Sequence, residues 1–309
     1  MGSPPDGESV RVFVSNIIVR SVIRAIPQVV YLHVACCEKI VSDPVHSVVV
    51  DGARVSYSLE GTGAVNVVLV HGFAAHRQWW DWVVPELLRD FRILRVDLSG
   101  HGESDHRNRY SIETWGTEVV AAALAAFGDG PTFLVGHSLG GRVVIASGRH
   151  PELAASGVLV LDTSFPDPEL PRVPSQWKPV QRLYESREAA MERFRLVPPQ
   201  PIDPTILRTL AGHSVRAVEG GWTWRHDFRL NPTELQFPPI ADLGVPVRVA
   251  YGEESSVVDA PTAYRMAELV GDGTTVVSIP RAHHHLVLDA PEAVAAAITA
   301  LARHDQTTD

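Results

Sequence analysis

From position 46 onward the chain alternates short apolar runs, rich in β-branched residues, with longer segments of helical period. The apolar runs predict strands over 46–50, 53–58, 66–70, 91–96, 132–136, 157–161, 246–251 and 274–279. Asp51-Gly52, between the first two, is a sequence suited to a two-residue hairpin turn. The later runs are almost continuously apolar, as strands of a parallel sheet are when both faces are covered. Helical spacing fills the gaps at 76–89, 111–127, 139–149, 260–270 and 291–303. This alternation predicts an α/β domain of eight strands, mostly parallel, flanked by helices and opening on an antiparallel hairpin.

The rhythm breaks over 164–243. That segment opens on FPDPELPRVP (165–174) and closes on NPTELQFPP (231–239), with helical stretches predicted near 179–196 and 204–218. It also holds Trp177, Tyr184, Phe194, Trp222, Trp224 and Phe228. A helical cap over the ligand end of the sheet has this composition. The expected organisation is therefore a core of 45–163 and 244–309, a cap of 164–243 and an N-terminal extension of 1–44. Within the extension, residues 10–41 are apolar but interrupted by Arg11, Arg20 and Arg24, and the longest uncharged piece, Ala25–Cys37, is too short to span a bilayer. The acidic start (Asp6, Glu8) lacks a small-residue cleavage pattern, so no signal peptide is expected. Amphipathic helices broken near Pro27 are predicted, packing on the main domain, with a dimer or membrane-surface contact through 10–41 left open.

Composition narrows the function. A net charge of −9 over 309 residues argues against a nucleic-acid partner, which calls for a basic face. Cys36 and Cys37 are the only cysteines and are adjacent, so there is no disulfide framework and a reducing, cytoplasmic setting is the default.

The chemistry sits in three loops after strands. In FLVGHSLGGR (133–142), a strand runs through Gly136-His-Ser138-Leu-Gly140 into a helix. A sharp strand-to-helix turn lifts the Ser138 hydroxyl to the helix N-terminus, where amides favour developing negative charge. In VVLVHGFAAH (67–76), a tight turn after a buried strand can aim the Phe73 amide at the same point. With the Leu139 amide it makes two donors for an oxyanion. His71 is expected to stabilise that turn, and VDLSGHGESD (96–105) to be scaffold held by Asp97 and Ser104. Trp79, Trp80 and Trp82 are in part core.

HGF at 71–73, DLSGHGES at 97–104, GHSLGG at 136–141 and AHHHLVLDAP at 282–291 together resemble the α/β-hydrolase superfamily over about 46–303. The resemblance implies a nucleophile on the strand-5 elbow, an acid after strand 6 or 7, a histidine after strand 8 and a cap after strand 6. In that superfamily the last loop carries its histidine a few residues before an acid and a proline. Counting back from Asp289 and Pro291 selects His284, with His283 and His285 as alternatives. A zinc site in this run is disfavoured, since adjacent side chains diverge and no supporting ligand cluster is visible. The acid departs from the pattern: relatives carry aspartate three residues after the strand-7 glycine, and here Gly252 plus three is Ser255. Asp162, at the end of strand 6, is the favoured acid, a position that haloalkane dehalogenases also use. Glu254, Glu253 and Asp259 stand as alternatives, Asp259 also being suited to capping the helix that follows.

A serine at the elbow implies acyl transfer on an ester, thioester, lactone or carbon–carbon ketone-type substrate of hydrophobic character, with no cofactor and no metal. Arg172, Arg225 and His226 are candidates for binding a carboxylate. The alternative is a non-hydrolytic use of the same site: a ligand receptor or scaffold, or a cofactor-free lyase, cyclase or haloperoxidase-like enzyme.

Overall fold

Eight strands pair in the order β1-β2-β4-β3-β5-β6-β9-β10. In chain order they are β1 (Val45–Val50), β2 (Ala53–Glu60), β3 (Val65–Val70), β4 (Phe91–Val96), β5 (Thr132–His137), β6 (Ala155–Leu161), β9 (Val247–Gly252) and β10 (Thr275–Ile279). The computed structural model describes residues 45–165, 180–231, 235 and 243–305. The predicted extension over 1–44, Arg172 and Trp177 lie outside them. The β1–β2 and β2–β4 pairs are antiparallel, and every other pair in this sheet is parallel. The hairpin closes at Asp51-Gly52, both at positive φ (47° and 77°), which matches the twist of the flanking strands.

Alternation along β3 and β4 sends side chains to opposite faces. Val68, Val70, Leu94 and Val96 join one apolar layer, and Val67, Leu69 and Ile93 join the other. Helices α1 (Ile112–Phe127), α2 (Leu139–Gly148) and α5 (Ala260–Val270) supply the first layer. Helices α6 (Leu286–Asp289) and α7 (Pro291–Asp305) supply the second, with Trp79 and Trp80. Helix starts follow the capping chemistry of the sequence: Ser111 accepts from the Thr114 amide, and Asp259 from the Thr262 amide at 3.0 Å.

Three predicted elements differ from the structure. The expected helix over 76–89 is two 3₁₀ turns, Arg77–Trp80 and Val84–Glu86. Pro85 lies in the second, and the Arg77 backbone amide is taken by Asp97 Oδ1 at 2.7 Å. The expected helix over 179–196 is only α3 (Arg187–Met191). The expected helix over 204–218 ends as α4 at His213 (Pro204–His213), and residues 215–218 become a strand. That strand, β7 (Val215–Val218), pairs antiparallel with β8 (Gly221–Trp224). The described part of 164–243 is thus mixed helix and hairpin. Among the described residues no helix is long and apolar enough to cross a membrane.

Candidate active site

The site forms where β3, β5, β6, β9 and β10 deliver their C-terminal ends to one side of the sheet, the usual ligand side of such folds. Ser138 joins β5 to α2 at φ 53°, a conformation costly for a residue with a side chain. The turn is tight enough that a Cβ on Gly136 would meet the Gly140 carbonyl at 2.1 Å. One on Gly140 would meet the Val70 carbonyl at 2.3 Å, so both positions require glycine and lock the elbow against β3. The Ser138 amide donates to the Leu161 carbonyl at 2.9 Å, which sets the elbow beside the residue that follows β6.

That residue is Asp162, fully buried and itself at φ 44°. Its Oδ1 accepts from His284 Nδ1–H at 2.7 Å and from the Ser255 hydroxyl at 2.7 Å. Its Oδ2 accepts from the Gly252 amide at 2.9 Å. Ser255, standing where relatives carry their acid, donates to the carboxylate that the previous strand supplies. The loop after β10 reaches this point because Gly252 admits it: a Cβ there would meet the Ala282 carbonyl at 2.3 Å. The Glu254 amide also holds that carbonyl, at 2.9 Å.

The alternative acids are engaged elsewhere. Glu253 is exposed and accepts from the Ser278 hydroxyl at 2.9 Å. Glu254 pairs with His283 Nε2 at 3.3 Å, and His283 also contacts Asp289 at 2.9 Å. Asp259 caps α5. His284 is therefore the member of the histidine run that meets Asp162, while His285 turns to the Pro198 carbonyl at 3.2 Å.

Ser138, His284 and Phe73 line one cavity of about 390 Å³. Its walls are Trp79, Phe194, Val197 and Trp224, with Arg193, Arg195 and His226 as polar members. Phe194 and Trp224, both from the 164–243 segment, contact ring to ring at 6.2 Å in that wall. Trp80 is fully buried in the core. Burial holds the His226 imidazole down to about 4. Of the carboxylate-binding candidates, His226 reaches the cavity, while Arg225 faces Glu103 at 3.6 Å. No hydrogen bond joins Ser138 to His284 among the described residues, and in unliganded sites such contacts commonly tighten only around substrate.

The neighbouring loops hold this geometry. His71 Nδ1–H donates to the Gly72 carbonyl at 2.8 Å, and Nε2 accepts from the Leu98 amide at 3.2 Å. It ties the turn after β3 to the loop after β4. Asp97 accepts from the amides of Arg77 and Glu103 and pairs with the Arg77 guanidinium. The Ser104 hydroxyl donates to the Asp97 carbonyl at 2.5 Å.

His137, the residue before Ser138, was not singled out from the sequence. It is buried beside His284 and donates through Nε2 to the His284 carbonyl at 2.8 Å. Burial, then the neighbouring imidazoles of His284 and His285, hold its basicity well below that of free imidazole. Burial first, then His284, takes His285 down to about 3. One ring nitrogen from each of His137, His284 and His285 lies within 4.8 Å of the other two. The objection to a metal in this region considered 283–285 alone; the elbow supplies the further ring.

The fold is that of an α/β hydrolase. A model of the alpha/beta hydrolase family matches residues 67–297, and the chain belongs to that family. It is 27% identical over 271 residues to 2-(acetamidomethylene)succinate hydrolase of Mesorhizobium japonicum, covering 84% of this chain and 96% of the relative. It is 26% identical over 271 residues to pimeloyl-[acyl-carrier protein] methyl ester esterase of Pectobacterium carotovorum subsp. carotovorum, covering 81% and 99%. Among solved structures, the thioesterase domain from the curacin biosynthetic pathway superposes with a TM-score of 0.71 at 20% identity, covering 83% of this chain and 99% of that one. These relatives are hydrolases and esterases, which supports a hydrolase here.

Proposed function

We propose that the protein is a serine hydrolase that transfers an acyl group from an ester or thioester of hydrophobic character to Ser138, and then to water. Lactones and carbon–carbon ketone-type substrates fall within the same chemistry. The observation that carries this reading is the pairing of His284 Nδ1–H with buried Asp162 beside a strained Ser138 on one cavity. A carboxylate acceptor on Nδ1 fixes the tautomer that leaves the Nε2 lone pair for the serine proton. His284 takes that proton as Ser138 Oγ attacks the carbonyl carbon. The Phe73 and Leu139 amides donate to the oxyanion, and imidazolium, stabilised by Asp162, returns the proton to the departing alcohol or thiol. Water activated by His284 then cleaves the acyl-serine.

The aromatic wall supports an apolar acyl or alcohol group, and Arg193 and Arg195 at the cavity support an acidic substituent on it. A relative whose name specifies a substituted succinate is consistent with such a substituent.

Intact mass after fluorophosphonate exposure tests this reading. One probe should add per chain, with no addition to Ser138→Ala and much slower addition to Asp162→Asn. Folded wild type that stays unlabelled by probes of several sizes would instead favour a receptor or scaffold built on this fold.

A further inference from the structure

We propose that His137, His284 and His285 form a binding site for a divalent transition-metal ion such as Zn²⁺, and that an ion bound there shuts the hydrolase off. The inhibitory part rests on His284 being the catalytic base; the binding part does not.

The hydrogen bonds fix which nitrogens are available. His284 Nδ1 faces the Asp162 carboxylate, His137 Nε2 the His284 carbonyl, and His285 Nε2 the Pro198 carbonyl. All three acceptors are oxygens without a proton, so each of these nitrogens carries the hydrogen. The lone pairs therefore sit on His284 Nε2, His137 Nδ1 and His285 Nδ1. This arrangement is the one seen around metal-bound imidazoles, where the second ring nitrogen is held by a carboxylate or carbonyl that sets tautomer and orientation. His285 Nδ1 adds an independent sign: it is buried and has no hydrogen-bond partner among the described residues. A buried polar atom left unpaired is costly, and a metal is one way to satisfy it.

The ring positions fit. Imidazole binds zinc at about 2.1 Å, which puts each ring centroid about 3.2 Å from the ion and tetrahedrally placed centroids about 5 Å apart. The centroid separations are 5.1 Å for His137–His284, 4.8 Å for His284–His285 and 5.9 Å for His137–His285. Tetrahedral coordination wants nitrogens about 3.4 Å apart, and one ring nitrogen of each residue lies within 4.8 Å of the other two, so the rings must close by up to about 1.4 Å around an ion. All three rings line the cavity, which leaves room for a solvent molecule as fourth ligand. The Asp162 carboxylate behind His284 favours the cation. Arg193 and Arg195 on the cavity wall oppose it and weaken the site relative to a purpose-built zinc centre. A metal on His284 Nε2 occupies the lone pair that must accept the Ser138 proton, so occupancy and turnover exclude one another.

Zinc binding is measured by calorimetry in a non-chelating buffer with wild type, Ser138→Ala, His285→Gln and His283→Gln. His283 lies in the same run but pairs with Glu254 and Asp289, so it is the internal control. One Zn²⁺ per chain should bind wild type and Ser138→Ala alike. Affinity should fall at least about 100-fold in His285→Gln, since even outer partners of metal ligands are worth 10- to 100-fold, and stay unchanged in His283→Gln. Nitrophenyl ester turnover by wild type should be inhibited over the same concentration range and restored by chelator. Co²⁺ added to wild type should give the intense visible bands of a tetrahedral ion, a readout that survives any folding defect of the variant. Equal binding by His285→Gln, loss of binding in His283→Gln, or no tetrahedral Co²⁺ spectrum would overturn the site. Metal binding that depends on His285 in a protein without esterase turnover would keep the site and sink the hydrolase reading instead.

Discussion

Exchanging the acid between two loops tests the site most directly. In Asp162→Asn, one side of the side chain loses its acceptor. With the amide oxygen kept toward His284, the NH₂ group faces the Gly252 N–H, which now sits 2.9 Å from a carboxylate oxygen. With the amide reversed, the NH₂ group faces His284 Nδ1 and the Ser255 hydroxyl, each now 2.7 Å from Oδ1. The second orientation drives the imidazole into the wrong tautomer, a change that costs about 10⁴ in kcat in the serine-protease triad. We expect a loss of 10³- to 10⁴-fold here, about 4–5.5 kcal/mol of transition-state stabilisation. Adding Ser255→Asp should then recover about 10- to 100-fold of it. The Ser255 oxygen lies one hydrogen bond from the carboxylate oxygen that holds His284, so a carboxylate at 255 can reach Nδ1 from the loop after β9. The assay is the single-turnover acylation rate on a nitrophenyl ester, with melting temperature as the control for folding. A kcat for Asp162→Asn within threefold of wild type would refute Asp162 as the acid. A full loss without rescue would refute the geometric equivalence of positions 162 and 255.

Ser255→Ala, which deletes one hydrogen bond to the carboxylate, should lower kcat about 15- to 150-fold with little change in KM, within the 1.5–3 kcal/mol typical of bonds to charged groups. A shift confined to KM would contradict that role. Gly140→Ala drives a Cβ into the Val70 carbonyl at 2.3 Å and should destabilise the fold by about 3 kcal/mol or more, read as a lower urea midpoint. An unchanged midpoint would mean the elbow is looser than drawn. Burial depresses the His76 imidazole to about 3 from 6.5. The unfolded chain therefore binds more protons below pH 6.5, and the stability this group contributes is complete above 6.5 and declines as pH falls toward 3. Between pH 6.5 and 5 the loss is up to about 2 kcal/mol. The depressed carboxyls of Asp97 and Asp227 contribute stability that is lost only on acidification below about 3.8, outside that window. The depressed imidazoles of His226 and His285 add to the same decline, so urea unfolding at pH 7 and pH 5 should show it in wild type and a smaller one in His76→Gln; equal declines would remove His76 as a contributor.

What the sequence made legible follows from how local each feature is. Strands read correctly because a buried parallel strand is a short apolar run whatever lies beside it, and Asp51-Gly52 encodes its own turn. The 76–89 segment misled because Trp79, Trp80, Val83, Val84 and Leu87 recur at helical spacing, yet burial of those side chains needs only that they face one layer. The backbone between them was settled at a distance, by Asp97 taking the Arg77 amide and by Pro85 in the second turn. The β7–β8 hairpin was missed although Glu219-Gly220, between Val215–Val218 and Gly221–Trp224, carries a turn signal, because the helical spacing of 204–213 runs on into β7. The acid shows the boundary most sharply. A single absence, serine at 255, was enough to turn attention to Asp162, because a base beside a nucleophile needs a carboxylate from somewhere. That Ser255 would hydrogen-bond to the Asp162 carboxylate could not be read from spacing, since the two residues are 93 apart in the chain. The same holds for His137 and His284, 147 residues apart. A histidine inside G-x-S-x-G carries no signal of its own until the last loop folds over it, and only that contact gathers His137 with His284 and His285.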